Sequence, residues 1–362
     1  MNNHHDAHFS THFMFLFHLL RSVFSLVRGG ISSMIEADKP ELEHGYNHLL
    51  RHLKNKGWEG IEEEYNEAQE EALSPSKCAA FNANPTKNRF ADVPCLDSTR
   101  VLLTTEVPTL GDYVHANRVS LSTSDLKFIA AQTPLPATVQ DFWRLVYDST
   151  ASAVICLSDL EWTEQDTQCS FFPLNTTDFV TYGCMSVASK SVFSAKDAPI
   201  FKAVAEVLPE GCSNSSVVTV IQTKLWPEGQ NVRTDGRSIR RRRTALALWL
   251  MVEQLKGTVV VCCPSGVSST ASFILLHAAM KQLRSGKEIE MATLLRQLRT
   301  QRASSIRSIN DYFTVYALLL EYGTCMPEKD RSKLSDKKRS RLEKQCTFLL
   351  NDYYLWKSER KE

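Results

Sequence analysis

Thr258-Val-Val-Val-Cys-Cys-Pro-Ser-Gly-Val-Ser-Ser-Thr270 decides the reading of this chain. The β-branched run Thr258–Val261 has the composition of a short strand buried on both faces. Pro264, Ser265 and Gly266 form a turn, and the stretch from Thr270 to Leu283 is helical in composition. A strand that turns sharply into a helix can aim consecutive backbone N–H groups and the helix N-terminus at one point, which makes a cradle for an anion. A cysteine at the base of such a cradle, here Cys263, is placed as a nucleophile. By itself the pattern is more often that of a structural cysteine, so the rest of the chain has to decide.

Working outward, short runs of strand composition alternate with helical stretches. Arg100–Leu103, Tyr113–Val114, Phe128–Ala131, Ala153–Leu157 and a long run from Ser216 to Trp226 read as strands. Helical stretches are expected over Leu42–Leu73, Thr138–Asp148, Ala245–Leu255, Ile289–Arg302 and Asp311–Tyr322. The acidic run Glu62, Glu63, Glu64, Glu67, Glu70 and Glu71 is expected on a solvated helical face. Alternation of this kind indicates an α/β fold. No internal repeat is visible.

The chain has 362 residues, with Lys+Arg 42 against Asp+Glu 41, 43% hydrophobic and 23% charged residues, which excludes whole-chain disorder, collagen and coiled coil. A net charge of +1 supplies no global field for nucleic acid, so a nucleic-acid partner is not expected and any electrostatic partner must meet a local patch. The ten cysteines show no CxxC pair and no zinc-site spacing, so neither metal nor other cofactor is expected. The adjacent pair Cys262-Cys263 is expected as two reduced thiols, not a redox switch. The sequons at Asn175 and Asn214 are read as chance matches in a cytosolic domain.

Residues 13–28 carry Phe13, Leu16, Phe17, Leu20, Phe24 and Val27 on one helical face and His18, Arg21, Ser25 and Arg28 on the other. The stretch is too short and too charged for a membrane span. It suits either a membrane-surface anchor or a loose terminus. With no convincing signal peptide, a cytoplasmic location is expected, with membrane association through this segment as the alternative. Arg237-Ser-Ile-Arg-Arg-Arg-Arg243 precedes an apolar helical stretch and opposes the helix macrodipole. It reads either as a solvated edge or as a docking site for acidic or phosphorylated partners or an anionic membrane surface. Beyond Gly323 the chain is densely charged, and a solvated helix or disordered tail is expected.

Seven segments stand in the order and spacing of one family: Lys87–Val101, Asp112–Asn117, Phe128–Pro136, Asp141–Arg144, Trp226-Pro227, the Cys263 turn, and Arg299-Thr-Gln-Arg302 with Tyr312. Over about residues 45–323 the chain resembles the tyrosine-specific protein phosphatases, the single-domain nematode-type members most closely. The resemblance implies a single domain over residues 45–323, a twisted mixed sheet flanked by helices, with residues 1–44 and 324–362 as extensions. It also implies a cleft for phosphotyrosine. There the cysteine attacks phosphorus, an arginine in the turn grips the phosphoryl oxygens, an aspartate after Trp-Pro protonates the leaving phenol, and a glutamine on another loop places water.

This chain departs from that pattern at the points of chemistry. The nucleophile position holds Cys263, but the arginine position is Ser269, which has neither charge nor bidentate reach. Pro264 follows the nucleophile and lacks an N–H. Ser268 replaces a glycine, Cys262 a histidine, and Gln168 a lysine. The general-acid position is Glu228, the aromatic that stacks on the substrate ring is Phe90, and the water-placing glutamine is Arg307; Thr270 is retained. The resemblance therefore assigns Ser265, Gly266, Val267, Ser268, Ser269, Thr270 and Arg307 to phosphate binding, Cys263 and Glu228 to catalysis and Phe90 to stacking. A degenerate member is expected, one that binds phosphotyrosine or a tyrosine-rich partner segment without hydrolysing it. The alternative is a phosphatase of low rate with Arg307 as a substitute clamp.

Overall fold

The computed structural model describes residues 41–68, 74–105, 107, 111–158, 171–173, 176, 179–193, 198–227 and 236–360. Glu228, Gln168, Asn175 and the amphipathic stretch at residues 13–28 lie outside them. Among the described residues nine strands form one sheet: β1 (Arg100–Leu102), β2 (Tyr113–Val119), β3 (Lys127–Gln132), β4 (Ala151–Cys156), β5 (Phe179–Tyr182), β6 (Met185–Val192), β7 (Phe201–Pro209), β8 (Ser216–Gln222) and β9 (Thr258–Cys263). Their spatial order is β1-β2-β3-β9-β4-β8-β7-β6-β5. The centre, β3-β9-β4-β8, is parallel, and the flanking pairs are antiparallel.

The strand read first from the sequence is thus a central strand. Its run Thr-Val-Val-Val-Cys-Cys carries no polar face because both faces are covered. Side chains alternate along it: Val259, Val261 and Cys263 join one apolar cluster, and Val260 and Cys262 join the other. Neighbours in sequence, Cys262 and Cys263 therefore point to opposite sides of the sheet. Cys262 instead stands in register with Cys156 of β4, and hydrogen bonding with that thiol, then burial, holds it well above the ordinary thiol range. The nine described cysteines are all free thiols.

Helices cover both faces: α1 (Glu41–Glu67), the short α2 (Ala79–Ala83), α3 (Val139–Asp148), α4 (Gly236–Val252), α5 (Ser269–Arg284), α6 (Met291–Gln301), α7 (Ile309–Thr324), the short α8 (Glu328–Arg331) and α9 (Asp336–Glu359). In α1, Leu42, Tyr46, Leu49, Leu50, Leu53, Trp58, Ile61 and Tyr65 are buried at helical spacing. Gly57 breaks the helix with φ 63, a left-handed conformation natural only to glycine. The expected solvated acidic face needs a correction at Glu64. Its carboxylate is buried and accepts from Tyr312 Oη (2.7 Å), Tyr316 Oη (2.9 Å) and Lys56 Nζ (2.8 Å). Burial pushes its pKa upward, but the bonds from His52, Lys56 and Tyr312 outweigh that and bring it down to about 2.

The segment beyond residue 323 is not a loose tail. Helix α9 buries Leu342, Cys346, Leu349, Leu350 and Tyr353 against the same core as α1 and α7. The Tyr353 ring lies 4.8 Å from Trp58 and 5.4 Å from Phe313, and the indole N–H of Trp58 donates to Asp352 (3.1 Å). Its charges line the outer side, where Lys338 pairs with Glu43 and Arg360 with Glu62. No helix among the described residues is long and apolar enough to cross a membrane.

Two buried histidines set a pH response. Burial, then the Arg302 charge, lowers the His115 pKa to about 3; burial, then the Lys281 charge, lowers that of His277 to about 4. Both folded values lie below the unfolded one, so the unfolded chain takes up more protons as pH falls. Their contribution to stability is therefore constant above about pH 6.5 and declines below it, with a slope approaching ~1.4 kcal/mol per pH unit for each histidine. Urea midpoints between pH 7.5 and 4.5 are expected to show this decline, and His277→Leu to make it shallower. A midpoint constant across that range contradicts the assignment of buried neutral imidazoles.

Candidate functional site

Cys263 ends β9 at the base of the turn and is 1% exposed. Gly266 closes the turn with φ +69. A Cβ there would stand 2.5 Å from the carbonyl carbon and oxygen of Ala131, so both the backbone conformation and the space demand glycine. The Gly266 N–H donates to the Cys263 carbonyl (3.1 Å) and lies 3.2 Å from Cys263 Sγ, while the Val267 N–H donates to Ser265 Oγ (3.3 Å). Two donors of the expected cradle thus have partners inside the turn, and Pro264 supplies none. Ser269, half-buried, begins α5, and the following Thr270 is wholly buried with its hydroxyl unpartnered. Ser268 does not cap that helix with its side chain; its hydroxyl donates to Asp311 Oδ2 (2.7 Å).

Beneath the turn lies Arg302, wholly buried. It donates to the carbonyls of Gly266 (3.3 Å) and Ser265 (3.2 Å), to Asn117 Oδ1 (2.7 Å) and to His115 Nδ1 (3.2 Å). The imidazole accepts there and so carries its proton on Nε2, which donates to the Val93 carbonyl (2.9 Å). These partners are all neutral, and burial draws the guanidinium pKa down. Arg302 shapes the cradle from below with its side chain turned to carbonyl oxygens. It does not supply the bidentate clamp missing at Ser269.

The mouth is built from two loops. Gln132, in register with Cys263, holds the Lys87–Phe90 segment from both sides: its Nε2 donates to the Lys87 carbonyl (2.8 Å) and its Oε1 accepts from the Arg89 N–H (3.0 Å). The Arg89 guanidinium bonds the Pro134 carbonyl (3.0 Å). Phe90, the next residue, is 39% exposed, leaving an aromatic face for a ring to stack on. On the other side Ile306 has φ 55, strained for a β-branched residue. It is held by its N–H to the Val267 carbonyl (2.7 Å) and by its own carbonyl, which accepts from Tyr65 Oη and Arg299 Nη2 (both 2.9 Å). That anchor carries Arg307, whose Nη2 pairs with Asp92 (2.8 Å) on the loop of Phe90. Both partners are well exposed, and the guanidinium holds the Asp92 carboxyl below its usual range.

Of the residues assigned from the sequence, Cys263 and Ser265 to Thr270 thus share one turn, while Phe90 and Arg307 stand on the two facing loops. Arg307 is engaged with Asp92, and Glu228 lies outside the described residues, after Trp226-Pro227; the Trp226 ring packs 5.8 Å from Phe273. Arg302, Asn117, His115, Gln132 and Ile306 were assigned no role from the sequence. Four of them stand inside the motif segments, His115 and Asn117 in Asp112–Asn117, Gln132 in Phe128–Pro136 and Arg302 in Arg299–Arg302, which marked the segments but not what each side chain does; nothing marked Ile306. Among the described residues no group of three His, Cys, Asp or Glu stands where it could hold a metal ion.

A cysteine thus ends a central parallel strand at a glycine-closed turn into a helix, with an aromatic residue on the neighbouring loop. The chain belongs to the protein-tyrosine phosphatase family, whose model matches residues 84–321. It is 27% identical over 287 residues to human tyrosine-protein phosphatase non-receptor type 9, covering 76% of this chain and 48% of that protein. It is 31% identical over 241 residues to rat non-receptor type 23, covering 66% of this chain and 16% of that protein. Zebrafish receptor-type tyrosine-protein phosphatase F is 26% identical over 256 residues, covering 68% and 12%. The chain thus spans about half or less of the length of these curated relatives. The Trypanosoma cruzi protein tyrosine phosphatase TcPTP1 has the same fold, with a TM-score of 0.62 at 20% identity over 75% of this chain and 95% of that one.

Proposed function

We propose that this chain is a pseudophosphatase, which binds a phosphotyrosine side chain or a tyrosine-rich partner segment in the cleft between Phe90 and the Cys263 turn and does not hydrolyse it. The observation that carries this reading is the turn itself. A serine stands where the family places its guanidinium, a proline removes one N–H, and the Gly266 and Val267 N–H groups have partners within the turn. An anion there meets fewer and mostly neutral donors, which support ground-state contact better than the charge that develops in phosphoryl transfer. A second reading, a phosphatase of low rate through Cys263 and Glu228, has the retained nucleophile in its favour. It requires Arg307 to leave Asp92 and reach the phosphoryl group. The cytoplasm is the location proposed under either reading, and the free state of the nine described cysteines is in keeping with it.

Calorimetry with a phosphotyrosine peptide and its unphosphorylated twin tests the binding reading. Phe90→Ala is expected to weaken the phosphopeptide by about threefold to tenfold at any ionic strength, because the loss is one of ring contact. Arg307→Ala is expected to weaken it chiefly at low salt, since it removes a screened charge and leaves Asp92 facing the phosphate. Equal binding of both peptides, unaffected by either substitution, would remove the cleft as the binding site.

A further inference from the structure

The run Arg237–Arg243 occupies the first two turns of α4 and is not one uniform patch. Arg242 is buried, with its Nε on Glu321 Oε2 (2.9 Å) and its guanidinium carbon 5.5 Å from the Tyr354 ring centre; its Nη1 has no partner. Arg243, with a third of its side chain exposed, takes the other oxygen of the same carboxylate (3.0 Å). Arg237 and Arg240 are exposed and Arg241 half-buried, and no carboxylate among the described residues pairs with these three.

One buried carboxylate therefore fixes two guanidiniums and neutralises one of five positive charges. Arg237 stands one turn, about 5 Å of rise, from Arg240 and Arg241, so these side chains share a face beside the fixed Arg243. Cations in the first turns of a helix oppose its macrodipole and repel one another, so helix stability gives no reason for the cluster. The arrangement favours one ligand chemistry. Planar forks about a helical turn apart, one already oriented from below, match carboxylates and phosphoryl groups spaced along a polypeptide.

We propose that the first two turns of α4 form a docking surface for an acidic, serine-phosphorylated segment of a partner protein, separate from the Cys263 cleft. A peptide is favoured over a membrane surface because, among the described residues, no large exposed apolar side chain lies on α4 to enter a bilayer.

Fluorescence anisotropy of the full chain with a labelled, tyrosine-free peptide of alternating glutamate and phosphoserine tests this. Arg237→Glu with Arg240→Glu is expected to lower affinity at least about tenfold, and raising salt from about 0.05 M to about 0.3 M to do the same in the wild type. Those glutamates suit the helix N-terminus, so the melting temperature of the double variant is expected to hold or rise, which separates lost binding from lost folding. Phe90→Ala is expected to leave this peptide's affinity unchanged, which keeps the result independent of the cleft. Undiminished binding by the double variant, no binding by the wild type, or arginine-dependent sedimentation with vesicles of about 30% phosphatidylserine but no peptide binding each overturns the proposal.

Discussion

Purified full-length protein is expected to release phenolate from a small aryl phosphate no faster than Cys263→Ser, and Ser269→Arg combined with Pro264→Ser to bring a cysteine-dependent rate into view. A single oxyanion donor is worth about 10²–10³ in rate, so a guanidinium clamp and one cradle N–H together account for roughly 10⁴ or more. The site allows the reversal in geometric terms. Ser269 is half-buried at the first position of α5, Cys263 stands at the base of the turn, and Arg302 supports the turn from below. Arg307 is tied to Asp92 at the rim, so it gives the wild type no clamp unless that pair breaks. A Cys263-dependent wild-type rate near that of an active family member, measured in parallel, would falsify the pseudophosphatase reading.

Arg302→Ala is expected to cost about 3 kcal/mol or more of stability in urea denaturation, more than a single surface change, because buried acceptors left without a donor cost about 1–3 kcal/mol each. It removes the donor to two carbonyls of the turn, to Asn117 Oδ1 and to His115 Nδ1, and leaves them buried. It carries a second readout. Burial is the main reason that the His115 pKa is low, and the Arg302 charge is the next. Without that charge the imidazole is expected to titrate at a higher pH, visible by NMR, while burial still holds it below the unfolded value. A loss under about 1 kcal/mol with an unshifted His115 would show that the arginine merely fills space.

Where local pattern and burial agree, sequence and structure coincide. The helix expected over Thr138–Asp148 is Val139–Asp148, that over Thr270–Leu283 is Ser269–Arg284, and that over Asp311–Tyr322 is Ile309–Thr324. The second and third are apolar on nearly every side and run through the core, and the first buries most of its length, a property of neighbours along the chain. The run from Ser216 to Trp226 is a strand only to Gln222, because pairing with β7 ends there. Helix α9 shows the limit from the other side: Leu342, Cys346, Leu349, Leu350 and Tyr353 already mark a stripe, but dense charge on the other faces gave no sign that a partner surface awaited it.

The candidate site divides in the same way. The family follows from the order of motifs, and the lack of a guanidinium at the seventh position of the Cys263 turn from the identity of one residue, Ser269, since no folding can give a serine a guanidinium. What the side chains do to one another depended on tertiary structure. Arg307 meets Asp92 across 215 positions and Tyr312 meets Glu64 across 248, while Arg242 and Arg243 share Glu321 at separations of 79 and 78. Such partners are chosen by where the sheet and helices bring distant segments together and by which buried charge must find a counterpart there. Composition and spacing carry no record of that choice.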